Sequence, residues 1–441
     1  MGPTGASGQI WARVAATFII ALGFALSSHY AIRTPVWQYP DEPAHYNYAF
    51  NLASTGQLVE IKAGDWDQER LERLKADRFP AGEDLDWIQY ENHQPPLYYA
   101  LVGWLATIEP AASADQRVYA LRLLTALIGC LALALAYRFM GLLFPSDIWA
   151  RLFATLVFAT VPMHAAMLGA INNDALGEVI AGGLLVATSV ALIRDLTYRR
   201  ALVIGILIGL ALLTKVTIYP VAGVCAVAIL LRIWRRGAEE PRWGMTLVLV
   251  VSSIALSGWW FVRNMIVYGL ADPFGLARHD LVVVGQPRTG PITSEAVNYF
   301  VTTMFNSFWG QFGWMGVPME RRVYLVLLAG TILAAIGLAI AIGRLALSGR
   351  LRAAGNEPWI LATVVIGVTL VEVVYYNLTY IQAQGRYLFP ALAGLAALME
   401  VGWRELLFVK TRPAAFALAS IALVVLNYVA IYRYIIPALA Q

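Results

Sequence analysis

The sequence predicts an all-α, polytopic membrane helix bundle of about 11 transmembrane helices with large outer-face loops. Three observations predict it. Of 441 residues, 59% are hydrophobic and 14% are charged, where soluble domains carry about a quarter charged residues, and the mean hydropathy is +0.63. Apolar runs close to the roughly 20 residues that span a bilayer recur to the C-terminus. These runs are continuous and do not alternate, which argues against a membrane β-barrel.

The expected spans are 10–30, 119–143, 151–170, 175–193, 201–217, 218–233, 243–262, 322–343, 358–377, 387–407 and 413–435. The first follows few charges and ends at no small-residue cleavage site, so it reads as a retained helix and not a signal peptide. Basic residues then set the orientation. Arg138 and Arg151 flank one connection, and Arg194, Arg199 and Arg200 fill a second. Arg232, Arg235, Arg236 and Arg242 follow, then Arg344, Arg350 and Arg352, then Arg404, Lys410 and Arg412. Every cluster falls in an alternate connection, as the positive-inside rule expects of the cytoplasmic face. The chain thus reads as a multi-pass protein of the plasma (inner) membrane, with its N-terminus cytoplasmic and its C-terminus outside.

Residues 1–441 read as a single integral membrane domain with two long outer loops, 31–118 and 263–321. The segment "PPLYYALVGWLATI" at 95–108 is short and opens on two prolines. It reads as a re-entrant or interfacial helix, because a crossing there would invert everything upstream. "DWDQERLERLKADRF" reads as an amphipathic, solvated or headgroup-facing helix without catalytic duty. The net charge of +4 forms no nucleic-acid patch. Cys130 and Cys225 sit in apolar runs as small hydrophobes and suggest neither a disulfide nor a zinc site.

In this topology several polar motifs converge on the outer face. Asp41, Glu42 and His45 follow the first span, and "ENHQPP", with His93, closes the first loop. Asn173 and Asp174 lie between the third and fourth spans, and Lys215 sits at the outer end of the fifth. Arg263 and Asn264 follow the seventh, and "QAQGRY", with Gln384, Arg386 and Tyr387, precedes the tenth. Each has a structural reading: helix caps for the acids, hydrogen-bonded histidines, and cations anchored at the membrane surface. The collection argues for more, since ionisable groups near membrane depth are costly and mark function. A carboxylate base wants a partly desolvated site that raises its pKa, and arginine and lysine suit a phosphate-bearing ligand. Carboxylate base plus phosphate clamp describes a transferase with a lipid phosphate as leaving group. Trp309 and Trp314 are candidates to stack on sugar or to line the interface. The rival reading is a transporter or flippase for a glycolipid or anionic metabolite, which would place charges near the midplane and show repeat symmetry.

"YPDEPAHY", "HQPPLYY", "NND", "LLTKVTIYP", "WWFVRNMIVYG", "SFWGQFGW" and "QGRYLFPAL" together resemble the GT-C glycosyltransferase superfamily. That group includes protein O-mannosyltransferases and bacterial aminoarabinose–lipid A transferases. The likeness is strongest to a bacterial multi-pass family placed beside them, and it runs from about residue 35 to 395. It implies a sugar donor carried on a polyprenyl phosphate, an inverting transfer, and a glycan, lipid or protein acceptor. It also implies an acid of the first outer loop as general base, by position Asp41, with Glu42 second. Asn173 and Asp174 match an acidic position that orients the acceptor or binds a divalent metal, a role the spacing leaves open. Lys215, Arg263 and Arg386 are the cations assigned to the lipid phosphate.

Overall fold

A computed structural model of the chain describes residues 6–109, 111–235, 242–349 and 355–440. Arg236, Arg350 and Arg352 of the basic clusters lie outside the described residues. The helices in chain order are α1 (Ala6–Arg33), α2 (Glu42–Thr55), α3 (Gln68–Ala76), α4 (Leu97–Thr107), α5 (Ala114–Leu143) and α6 (Ile148–Thr160). Then come α7 (Pro162–Leu168), α8 (Asp174–Ile193), α9 (Tyr198–Leu212), α10 (Tyr219–Arg235), α11 (Arg242–Tyr268) and α12 (Leu276–Val282). Then follow α13 (Ser294–Trp309), α14 (Arg321–Leu347), α15 (Glu357–Asn377), α16 (Leu392–Leu406) and α17 (Arg412–Val429), and a π-helical turn, Ala430–Ile435, carries α17 into a last short helix, α18 (Ile436–Leu439). Two short antiparallel strands, Gln311–Phe312 and Val317–Pro318, pair in the turn between α13 and α14.

All eleven expected spans are helical, but they are not eleven uniform crossings. Among the described residues, eight helices are long and apolar enough to cross a membrane. The expected span 151–170 is instead a bent pair, a broken span or a re-entrant loop: α6 and α7 meet at 66° where Pro162 lacks a backbone donor and clashes with the preceding turn. The expected spans 201–217 and 387–407 contain helices of only 15 residues, α9 and α16. A three-residue 3₁₀ turn, Val216–Ile218, follows α9, and a 3₁₀ segment, Gly385–Ala391, containing Pro390, precedes α16. The breaks place Asn173, Lys215 and Arg386 where regular helix gives way, and irregular backbone at membrane depth is tolerated where it lines a cavity.

The segment at 95–108 forms α4, whose 11 residues rise about 16 Å at 1.5 Å each, roughly half the hydrocarbon thickness. The amphipathic stretch forms α3, capped by the Asp67 carboxylate accepting from the Arg70 amide. It does not lie free: Leu71 and Leu74 are buried with Ile61, Ile88, Val282 and Val283 in a small second core roofed by the segments around α12. Helix α14 is attached along one seam. A Cβ on Gly337 would overlap the carbonyl of Gly402, and one on Gly402 would overlap that of Ala334, so the α14 and α16 backbones touch. The rest of α14 stays open, with 11% of its apolar window buried.

Candidate functional site

The turn "YPDEP" between α1 and α2 organises the site. Asp41 precedes α2 with a left-handed backbone, φ 64°, a conformation in which Asp and Asn are the usual non-glycine residues. That turn sends two adjacent carboxylates in different directions. Glu42, fully buried, accepts from Nε and Nη2 of Arg122, both at 2.7 Å, and from the Trp37 amide at 2.9 Å. The same guanidinium donates to the carbonyls of Ala31, Thr34 and Pro35, pinning the end of α1 to α5. Asp41 instead faces a cleft of about 280 Å³. Its Oδ2 accepts from Arg386 Nη2 at 2.7 Å and its Oδ1 from the Tyr90 hydroxyl at 2.8 Å, with a quarter of the side chain exposed.

Around this pair the chain gathers further titratable groups. Gln384 Oε1 accepts from Arg386 Nε at 2.7 Å, and the Tyr387 ring lies 5.4 Å from that guanidinium. Lys215 Nζ donates to Asp174 Oδ1 at 2.6 Å, while Asn173 Nδ2 holds the carbonyl of Thr214 and so ties the start of α8 to the break after α9. His45, one turn beyond Asp41, makes a 2.8 Å hydrogen bond to Tyr99, and the field of Lys215 reaches both it and Glu91. His93 is buried, bonds the Tyr90 carbonyl through Nδ1 at 2.9 Å, and packs against His279 at 4.3 Å.

Burial tends to raise the Asp41 carboxyl, but the Arg386 guanidinium outweighs it and holds the group at about 2. Burial, followed by the negative charge of Asp41, pushes Glu91 up to about 7. Burial and then Lys215 press His45 down to about 3, which keeps it neutral. The raised carboxylate is therefore Glu91, whereas the requirement for a raised base had pointed to Asp41. Because Glu91 moves up from its ordinary 4.5, its stabilisation is fully present below pH 4.5 and is lost as pH rises through about 7. Thermal unfolding between about pH 5 and 8 should show the melting temperature falling with pH, and Glu91→Gln should flatten that fall.

Asp41, His45 and Glu91 each present one donor atom, all within 4.8 Å of one another. This oxygen and nitrogen set suits a divalent cation, which would share the Asp41 carboxylate with Arg386. If bound, it would add positive charge beside an anionic substrate.

Not every candidate joins this group. Arg263 donates to Asn264 Oδ1 and to the Val59 carbonyl, and Asn264 Nδ2 to the Pro273 carbonyl. They fasten the end of α11 to the loops instead of meeting Asp41 or Arg386. Trp309 is buried in the main core, 3% exposed, and cannot stack on a ligand. Trp314 lines the cleft, its indole donating to the Trp37 carbonyl and its face covered by Lys75 Nζ at 4.5 Å. Gln68, Glu72 and Lys75 of α3 also reach the cleft, although the stretch reads in sequence as a plain surface helix.

Three residues went unselected by sequence. Arg122 carried a usable signal, an arginine inside the expected span 119–143 and away from its cytoplasmic end. Glu91 and Tyr90 flanked and shared the "ENHQPP" motif, where His93 drew attention instead.

A family model described as a predicted membrane protein, DUF2142, matches residues 84–395, well over half of the chain. The chain belongs to this family. Among solved structures it is similar to ArnT from Cupriavidus metallidurans bound to undecaprenyl phosphate, with 15% identity, a TM-score of 0.56, and coverage of 99% of this chain and 74% of ArnT. The apo state of the same protein gives 14% identity and a TM-score of 0.54. The Archaeoglobus fulgidus oligosaccharyltransferase in complex with Zn and sulfate gives 15% identity and a TM-score of 0.50, covering 94% of this chain and 53% of that one. No curated protein matches in sequence. The DUF2142 chain is thus a multi-pass membrane protein with the GT-C fold.

Proposed function

We propose that the chain is an inverting glycosyltransferase that moves a sugar from a polyprenyl-phosphate donor to an acceptor hydroxyl at the extracytoplasmic face. The observation that carries this reading is the Asp41–Arg386 pair at the cleft, beside Asp174–Lys215. Two carboxylates hold two cations at the place where a phosphate-bearing donor would need them. The ArnT relative bound to undecaprenyl phosphate supports the class of ligand.

In this mechanism the donor phosphate draws Arg386 and Lys215 toward its oxygens. Asp41 loses its strongest ion pair, and its proton affinity rises. Asp41 then accepts the proton of the acceptor hydroxyl while that oxygen attacks the anomeric carbon. The bond from the anomeric carbon to the phosphate oxygen breaks with its electron pair, and the cations stabilise the charge gathering on the departing lipid phosphate. Glu42 is given a positioning role, since both its oxygens already serve Arg122. Arg263 and Asn264 brace the loop over the site. The extracytoplasmic side is supported by the positive-inside reading of the arginine clusters, of which Arg138, Arg151, Arg194, Arg404 and Arg412 line one cavity that Asp41 does not share.

Mass spectrometry of lipid co-purified with the full chain tests the reading. A polyprenyl phosphate or its glycosylated form is the expected adduct, and proteoliposomes carrying it should yield a covalent sugar product. Substrate crossing the bilayer with no covalent product would replace the enzyme reading with a transporter.

A further inference from the structure

A second, roomy cavity lies at the other end of the bundle. It encloses about 1250 Å³ between the start of α1, the α5–α6 turn and the ends of α8, α16 and α17 nearest them. Six arginines line it, Arg13, Arg138, Arg151, Arg194, Arg404 and Arg412, against two carboxylates, Asp147 and Glu400. Six positive charges less two negative leave a surplus of four.

The acids do not neutralise the arginines. Asp147 caps α6 through the Ala150 amide and takes Arg404 Nη1 at 2.9 Å. Among the described carboxylates none pairs with Arg13, Arg138, Arg151 or Arg194. Arg151 Nε is buried without a hydrogen-bond acceptor, its guanidinium lying 5.5 Å from the Tyr137 ring.

Glu400 supplies a second, independent observation. It is 0% exposed, and neither carboxylate oxygen accepts a hydrogen bond. Arg404 Nε, at 3.5 Å, is its ion-pair neighbour. A buried carboxylate with no donor is costly enough to need an explanation, and a ligand that donates to it provides one. The cavity wall also carries Ile148, Trp149, Val409 and Phe416. Trp149 lies against Trp11, with ring centroids 4.9 Å apart and planes inclined by 56°, and both rings are about half exposed, as aromatic side chains at a membrane interface sit.

We infer that this cavity binds a phosphate-bearing lipid headgroup with a hydrogen-bond donor at its tip. Arginines take the phosphate oxygens, where planar guanidinium donors match the geometry. Glu400 accepts from a hydroxyl or ammonium group at the headgroup tip, and the apolar wall receives the start of the acyl chains. The site is distinct from the Asp41 cleft and does not depend on the transfer reaction.

Native mass spectrometry and thermal unfolding of the full detergent-solubilised chain, titrated with phosphatidylglycerol, phosphatidylcholine or inorganic phosphate, test the inference. Phosphatidylglycerol, which has hydroxyl donors, should be retained and should raise the melting temperature. Phosphatidylcholine, which has none, should bind about tenfold more weakly, the scale of one lost charge-assisted hydrogen bond. Arg138→Gln with Arg151→Gln should weaken phosphatidylglycerol at least as much while leaving the lipid-free melting temperature near the parental value. Glu400→Gln should reduce the preference for phosphatidylglycerol over phosphatidylcholine and keep binding of the phosphate. Equal retention of both lipids, or retention unchanged in the arginine variant, would overturn the proposal. A shift produced by inorganic phosphate alone, with no lipid retained, would make this a soluble-anion site and overturn the lipid assignment.

Discussion

Asp41→Asn is expected to lower kcat for sugar transfer by about 10²–10⁴-fold, the span that a positioned general base contributes. The substitution suits the position for two physical reasons. Asparagine tolerates the left-handed backbone that residue 41 adopts, and its amide keeps the shape of the carboxylate while removing its proton affinity. Donor binding should survive, so a polyprenyl-phosphate sugar should accumulate on the variant. The measurement is single-turnover transfer from the co-purified donor, with the bound lipid quantified by mass spectrometry. Transfer at the parental rate would remove Asp41 from the role and pass it to Glu91, the neighbouring carboxylate held near neutrality.

Arg122→Met should be the most damaging single change to the fold. It strips the counter-ion from Glu42, which is wholly buried, and leaves the carbonyls of Ala31, Thr34 and Pro35 without their donor. Breaking one side of a buried pair costs about 3–5 kcal/mol, and thermal unfolding in detergent should show a correspondingly large drop. Adding Glu42→Gln to Arg122→Met should recover part of the loss, because the uncompensated charge disappears. No recovery would mean that the three carbonyl contacts, and not the ion pair, hold the turn.

The helical membrane architecture was legible because it is written in local composition: apolar runs and alternating arginine clusters need no tertiary information. The breaks in it were harder to read. Pro162 inside "FATVPMHAAM" was a visible signal for the bend, but periodicity alone could not separate a broken span from a long one. At the site, the gathering of Asp41, His45, Asp174, Lys215 and Arg386 followed from topology, which brings span ends together whatever their distance in sequence. The direction of the Asp41 shift did not follow, since it depends on a guanidinium 345 positions away arriving within 2.7 Å of Oδ2. Adjacent acids at 41 and 42 look interchangeable in a string of letters. The backbone turn between them sends one to Arg122 and the other to the cleft, and only coordinates reveal that.

The seam between α14 and α16 has a consequence for how this chain can change over generations. Most of the α14 surface meets the surrounding apolar phase, where Val, Leu, Ile and Ala are nearly interchangeable and drift is close to free. At positions 337 and 402 the two main chains touch, and the smallest side chain would wedge them apart. Variation should therefore run wide along the length of α14 and stop at two glycines, so that the most changeable helix is also the one fastened at the least changeable points.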